Sequence, residues 1–320
     1  MRALVLDPSG TLTLASRPRP ALPSECVIRV AAAGICGTDL ELRRGYAGFA
    51  GVPGHEFVGV VDEAPAPDAA WIGRRVTGEI TVGCGACHGC RAAGRGHCDR
   101  RSVLGIIGRD GAFAEYLSLP AVNLHAVPDA VSDEAAVLVE PLAAACRVLE
   151  QIAVTPQTVC AVVGPGRLGL LVALVLRAAG ARVTVIGRGA ARLALARSSG
   201  FDTAAADATD IAPRQFDVVV DATGRPEGLT IAKRLVRPRG TIVMKSTFHG
   251  EARLALAPLV VDEITLVGSR CGPFDAALDL LAAGRVDVRP LVDATYPLDR
   301  FAEAFEAAEQ GRKVILRPQV

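Results

Sequence analysis

Lysine is all but missing from this chain of 320 residues: of 35 basic residues only Lys233, Lys245 and Lys313 are lysine. A single arginine is therefore weak evidence of a site. Charge of one sign is lacking as well. The formal balance is +1, with both signs spread along the chain, so there is neither the basic stripe of a nucleic-acid binder nor an acidic tail. Long apolar runs are missing too. The longest, Leu168–Leu176, is bounded by Arg167 and Arg177 and falls far short of the roughly 20 residues that span a bilayer. The opening MRALVLDPSG holds too short an apolar run for a signal peptide. A cytoplasmic protein with no membrane or nucleic-acid partner is expected. In that compartment nine cysteines read first as thiols or metal ligands, not disulfides. Half of the residues are apolar, enough for two cores.

The chain is organised around Thr158–Gly169, TVCAVVGPGRLG, where a short apolar run meets Gly164, Gly166 and Gly169 and a helical pattern follows. In a nucleotide-binding unit the first glycine makes the turn and the second lets backbone amides approach a pyrophosphate. The third allows close helix–strand packing, and the helix N-terminus faces the phosphates. The motif alone also fits an ordinary strand-to-helix turn. Its context favours a dinucleotide, because Leu168–Ala179 continues as helix, Gly180 stops it and Arg182–Ile186 supplies the next buried strand. Arg167 and Leu168, between the glycines, belong to the same expected contact. Further strands at Phe216–Asp221, Thr241–Lys245 and Ile264–Val267 alternate with helical stretches at Ala190–Ser199 and Glu227–Val236. That alternation describes a doubly wound parallel sheet, with Thr223 just past the strand at 216–221 as a further cofactor contact.

The end of the second strand bears on which dinucleotide. An NAD enzyme usually places Asp or Glu there for the ribose 2′-hydroxyl, whereas an NADP enzyme leaves the place small with arginine nearby. Here it is Gly187, followed by Arg188 and, one helical turn on, Arg192. NADP(H) is the expected preference, with NAD(H) as the alternative.

Two cysteine clusters precede this region in a mostly β stretch. Cys84, Cys87, Cys90 and Cys98 are spaced C-x2-C-x2-C-x7-C among interleaved glycines. Four thiolates on so short a lobe close tetrahedrally around zinc and leave no open position, which makes the site structural; an iron–sulfur cluster is the competing reading. The other cluster is looser. Cys36-Gly37-Thr38-Asp39 opens a helical stretch and Gly54-His55-Glu56 leads into a strand. A thiolate, an imidazole and a carboxylate suit a zinc ion with one position open for substrate, although a buried free cysteine and a satisfied histidine fit these residues equally well. Asp133–Ile152 reads as one helix broken at Glu140-Pro141, since proline kinks a helix interior. A carboxylate at such a break is a candidate third ligand or an ordinary helix-end glutamate.

Taken together, Cys36-Gly-Thr-Asp, Gly54-His55-Glu56, the four-cysteine lobe, Glu140-Pro141 and GPGRLG resemble the zinc-dependent medium-chain dehydrogenase/reductase family along essentially the whole chain. Glu140 in its E-P context points to the branch of sorbitol, threonine and glucose dehydrogenases. The resemblance implies a GroES-like catalytic domain built from 1–140 and 269–320 around a Rossmann domain at 141–268. It implies a catalytic zinc on Cys36, His55 and Glu140 with Glu56 adjacent, Asp39 behind His55, and Thr38 at the start of a proton relay. Many members carry histidine where this chain has Glu41, so Glu41 or water would end that relay. Lys313 and Arg270 fall where members contact cofactor phosphate or substrate. A homodimer or homotetramer paired through Ile264–Val267 is implied as well. A zinc-free quinone or enoyl reductase and a non-catalytic NADP(H)-binding protein are the competing functions.

Overall fold

A computed structural model describes residues 1–21, 23–207, 211–247 and 251–318. The chain divides into two compact units, Met1–Glu140 with Phe274–Val320, and Pro141–Pro273.

The first unit is mostly β. Strands β1 (Arg2–Leu6) and β2 (Leu12–Ser16) form a hairpin, and β3 (Cys26–Gly34) and β4 (Glu56–Glu63) are the centre of a seven-stranded sheet. Strand β3 is buried along nearly its whole length. Past β4 come β5 (Arg75–Gly78), the short pair β6 (Thr81–Val82) and β7 (Ser102–Val103), and then β8 (Tyr116–Leu119) and β9 (Leu124–Ala126). The chain returns to the same sheet with β16 and β17, defined below. Strand β3 is long enough to serve three neighbours: β4 lies along one side, β8 pairs its first half at Cys26–Arg29, and β17 pairs its last residues. Helix α1 (Gly37–Leu42) leaves directly from the end of β3, and α2 (His88–Ala93) lies in the cysteine lobe.

The expected helix over 133–152 is two helices, α3 (Asp133–Val137) and α4 (Val139–Gln151). Ser132 caps the first by accepting from the Ala135 N–H. The break falls at Leu138, which leaves the helical region (φ −86°, ψ 4°). Pro141 therefore sits in the first turn of α4, where its missing N–H has no intrahelical partner to lose.

The second unit is a six-stranded parallel sheet of β10 (Val159–Val163), β11 (Arg182–Gly187), β12 (Asp202–Ala205), β13 (Phe216–Asp221), β14 (Val236–Met244) and β15 (Thr265–Gly268), in the order β12-β11-β10-β13-β14-β15. Counted from β10 this is the 3-2-1-4-5-6 order of a Rossmann sheet, whose ligand crevice opens where the order reverses, between β10 and β13. The connections run through α5 (Arg167–Ala178), α6 (Ala190–Ser198), α7 (Glu227–Leu235) and α8 (Ala257–Val261). Ala161, Val163, Ile186, Val219 and Ile242 pack with Ala232 and Leu235 of α7 into one core. Residues 269–273, expected to rejoin the first unit, stay with this one. The Ser269 N–H donates to the Met244 carbonyl at 3.0 Å. The buried Lys245 ammonium donates to Ser269 Oγ at 3.2 Å and to the carbonyls of Arg270 and Ala144 at 2.7 and 2.6 Å. A buried ammonium is costly unless its donors are met, and these partners hold the segment in place.

From Phe274 the chain rejoins the first unit through α9 (Phe274–Ala282), β16 (Ala294–Pro297), α10 (Phe301–Glu309) and β17 (Val314–Arg317). Among the described residues no helix is long and apolar enough to cross a membrane.

Candidate active site

The register of the first unit's sheet assembles the site. Gly34, the last residue of β3, pairs with Glu56 on one side and with Ile315 on the other. Cys36, two residues beyond β3, thus comes beside His55 and Glu56 at the start of β4 and beside Lys313 just before β17. Their candidate ligand atoms, Cys36 Sγ, a His55 ring nitrogen and a Glu56 carboxylate oxygen, all lie within 4.8 Å of one another.

Asp39 fixes two of the three. Its carboxylate is 1% exposed and accepts from the Cys36 N–H at 2.8 Å and the Gly54 N–H at 3.2 Å. It also faces His55 Nδ1 at 3.4 Å. One side chain therefore ties the start of α1 to the Gly54–His55 turn and sets the histidine ring, the role a carboxylate behind a ligand histidine plays. Gly54 has φ +98°, and a Cβ there would stand 2.6 Å from the Phe113 ring, so this turn admits only glycine. Thr38 lies beside the sulfur, with Oγ1 3.8 Å from Cys36 Sγ.

Electrostatics favour a cation here. Burial opposes protonation of His55, but Asp39 and Cys36 beside it outweigh burial and hold its pKa well above the ordinary imidazole value. A divalent cation held by thiolate, imidazole and carboxylate satisfies this donor set. Lys313 supplies part of the balance. It is 4% exposed, donates to the Ile35 carbonyl at 3.0 Å and is in contact with Glu56 Oε2. Burial lowers its pKa, yet Glu56 and Cys36 together raise it above the ordinary lysine value. Gly34 makes room for this pair, since a Cβ there would stand 2.4 Å from Glu56 Oε2 and 3.1 Å from Lys313 Nζ.

Glu140, Glu41 and Lys313 are three further residues of the expected site. Glu140 is not in the described group of Cys36, His55 and Glu56 and falls in the first turn of α4. Glu41 pairs with Arg44 at 2.6 Å, both side chains being substantially exposed. Lys313, expected at the cofactor, is buried against Glu56, because the strand register puts it behind the ligand carboxylate.

The second metal group is Cys84, Cys87, Cys90 and Cys98. Sulfur separations of 4.0, 3.7 and 3.6 Å across Cys84–Cys90, Cys87–Cys98 and Cys84–Cys98 match the edge of about 3.8 Å that a zinc tetrahedron with Zn–S near 2.3 Å requires. Backbone N–H groups of Cys84 and Arg100 point at Cys98 Sγ at 3.4 Å, and that of Cys90 points at Cys87 Sγ at 3.5 Å. Amides of Ala86 and Cys87 hold the Cys84 thiol down to about 6, while burial and the neighbouring sulfurs push Cys90 up to about 12. Four thiolates this close need a cation among them. Interleaved Gly89 is required, since its Cβ would stand 2.3 Å from the His97 carbonyl. His88 and His97 are not in the group.

In the second unit, a cleft of about 200 Å³ opens at the reversal of strand order. Each glycine of the motif has its own reason. Gly164 has φ +110°, and its Cβ would stand 2.6 Å from the Ala222 carbonyl. Gly169 packs the helix on the turn, with its Cβ only 1.9 Å from the Gly164 carbonyl. Gly166 would meet no protein atom within 4 Å, lines the cleft, and begins α5 without a side-chain cap. An uncapped helix start beside open space suits a pyrophosphate. Gly187, Arg188, Arg192 and Thr223 also line the cleft, whereas Arg167, Leu168 and Gly169 support it from α5. The sequence reading missed Arg225 and Asp221, the partner of Thr223 at this lip. Buried Asp221 accepts from the Thr223 N–H at 3.0 Å, its hydroxyl at 2.8 Å and Ser246 Oγ at 3.0 Å. No spacing marks Arg225 in so arginine-rich a chain; the Asp221-Ala-Thr223 run at a strand end was the available signal for the pair.

Residues 22–129 match the family model for an alcohol dehydrogenase GroES-like domain, and residues 168–283 match that for a zinc-binding dehydrogenase. The chain is 36% identical to the L-threonine 3-dehydrogenase of Streptomyces coelicolor, over 99% of each. Among solved structures it is similar to an alcohol dehydrogenase from E. coli complexed with NADH (TM-score 0.93, 28% identity, 99% of each chain). It is similar too to a zinc-binding dehydrogenase from Sinorhizobium meliloti bound to NADP (TM-score 0.90, 28% identity, 99% of each chain).

Proposed function

From its membership of the zinc-dependent medium-chain dehydrogenase/reductase family, we propose that this protein transfers hydride between a secondary alcohol or polyol, or the corresponding ketone, and NADP(H). The observation that carries the reading is the group of half-buried Cys36 with buried His55 and Glu56 in a chain whose other unit holds a glycine-lined cleft. When bound, zinc supplies a Lewis acid that lowers the pKa of a substrate hydroxyl, and the nicotinamide carries the hydride. Cys36, His55 and Glu56 would hold that ion, while Cys84, Cys87, Cys90 and Cys98 would hold a second, structural one. Asp39 orients His55 and the start of α1. Lys313 offsets the charge of Glu56. The Thr38 hydroxyl beside Cys36 receives the substrate's proton, and water carries it outward, since Glu41 is engaged with Arg44. A zinc-free reductase has no use for this donor set.

Preference for NADP(H) rests on Gly187 with Arg188 and Arg192 on the cleft wall. Residue 187 itself carries no carboxylate to repel a 2′-phosphate, and guanidinium groups form charge-assisted bonds to phosphate. Association of two copies through β15 is part of the same reading. That strand ends the sheet, and Leu256, Val260 and Val261 nearby are 65%, 76% and 80% exposed, a liability for an unpaired edge. Sedimentation at micromolar concentration, with a monomer as the contrary result, checks it.

The functional test is a panel of sugars, polyols, amino alcohols and simple secondary alcohols, assayed with both cofactors and with or without a chelator. Turnover that chelation abolishes, with higher kcat/KM for NADP than for NAD, is expected. Turnover insensitive to metal removal overturns the zinc role, and a preference for NAD overturns the cofactor assignment.

A further inference from the structure

The absence of a side chain at 187 has a cause inside the protein. A Cβ built on Gly187 would lie 2.1 Å from Pro165 Cδ and 2.5 Å from its Cγ, well inside the roughly 3.5–4.0 Å at which carbon atoms pack. The Pro165 nitrogen is 3.4 Å from the same point, an ordinary contact, so the ring alone excludes the side chain. That ring cannot swing aside. It closes on its own backbone with φ fixed, and both partners are tied to the sheet: the Gly164 N–H, just before Pro165, donates to the Ile186 carbonyl at 2.8 Å, and the Gly187 carbonyl accepts from the Ala206 N–H at 3.1 Å. Gly187 is buried in β11 without a positive φ, so no turn geometry calls for glycine. Pro165 and Gly187 line the same cleft, beside Arg188.

We propose that Pro165 is a specificity-determining residue: its ring occupies the space the residue at 187 would need, so that no carboxylate can stand at the ribose while Pro165 is present. This inference rests on the reading that places the ribose at Gly187. It makes the middle residue of Gly164-Pro165-Gly166, which the phosphate-binding motif leaves unspecified, the reason why the acid of an NAD enzyme is excluded from the neighbouring strand.

The test has one arm without cofactor and one with it. In the cofactor-free arm, melting temperatures are compared for wild type, Gly187→Ala, Pro165→Ala and the double variant. Overpacking should cost Gly187→Ala at least about 3 °C with Pro165 present and under about 1 °C in the Pro165→Ala background. An equal loss in both backgrounds overturns the proposal, whichever cofactor the protein prefers. In the other arm, Gly187→Asp alone should lower kcat/KM for both cofactors about tenfold or more, because the strand end must shift. Adding Pro165→Ala should restore NAD use and raise the NAD to NADP ratio at least about tenfold over wild type. If Gly187→Asp alone switches the preference cleanly, Pro165 excludes nothing. A wild type that prefers NAD would refute the cofactor reading and leave the melting arm to decide the steric one.

Discussion

The two metal groups of the first unit solve the same coordination problem in opposite ways. Cys84, Cys87, Cys90 and Cys98 lie within 15 consecutive residues and offer four like donors with the separations of a tetrahedron's corners. Cys36, His55 and Glu56 offer three unlike donors, brought together by the ends of β3 and β4, with Asp39 and Lys313 arriving from α1 and from the far end of the chain. A closed set of thiolates has no position left for chemistry. An open set of mixed donors has one, and its surroundings must hold the geometry that a fourth protein ligand would otherwise hold.

The sharpest contrast should come from removing one sulfur from each group. Cys36→Ser is expected to cut kcat by about a thousandfold or more, a loss of several kcal/mol of transition-state stabilisation, while the melting temperature stays near wild type. Cys87→Ser should do the reverse, lowering the melting temperature by about 5 °C or more while the remaining folded protein turns over normally. Steady-state kinetics and calorimetry on both variants decide it. Loss of turnover from both, in proportion to folded protein, would erase the distinction.

Graded chelation sharpens the same point. The open group should release its ion first, so that turnover vanishes when about one equivalent of zinc has left and circular dichroism is unchanged. Activity persisting at one retained equivalent would show that the roles are reversed.

The placing of Glu56, and not Glu140, beside Cys36 and His55 predicts a further difference. Glu56→Gln should weaken metal retention and lower kcat by about a hundredfold, whereas Glu140→Gln should leave metal content at the wild-type level. Metal analysis after dialysis separates them, and a Glu140→Gln variant that loses one equivalent while Glu56→Gln keeps both would restore Glu140 as the ligand.

The smallest effect is expected at a cluster where a proton takes the place of the metal. His125 lies between Asp275, 2.7 Å from Nδ1, and Glu79, 3.4 Å from Nε2, and stacks on Phe274 with ring centroids 5.2 Å apart. Burial lowers its pKa, but the two carboxylates outweigh that and raise it. A histidine raised in the folded state contributes stability that is fully present below its unfolded pKa of about 6.5 and is lost as pH rises through the higher folded value. Both carboxylates are substantially exposed, so the contribution is under about 1 kcal/mol. The gap in stability between wild type and His125→Gln should therefore be widest in mild acid and close in alkali; a gap independent of pH would assign it to packing on Phe274.

By itself the sequence determined whatever is written in consecutive residues. The four-cysteine lobe, the Gly164–Gly169 turn and the alternation of buried strands with helices are local, because each depends on spacing along one short segment, and the family resemblance follows from them. Tertiary structure alone decided which distant groups meet. The register that pairs Gly34 with both Glu56 and Ile315 brings Glu56 beside Cys36 and sets Lys313 against Glu56. Glu41, expected at the outer end of the relay, pairs with Arg44. The Lys245 ammonium, which needs three partners where it is buried, kept residues 269–273 with the parallel sheet. The packing of Pro165 on Gly187 gave a physical cause to a glycine that the sequence presented only as a missing acid. In each case the deciding quantity is a distance between residues far apart in the chain, set by strand pairing and side-chain packing, which no local pattern encodes.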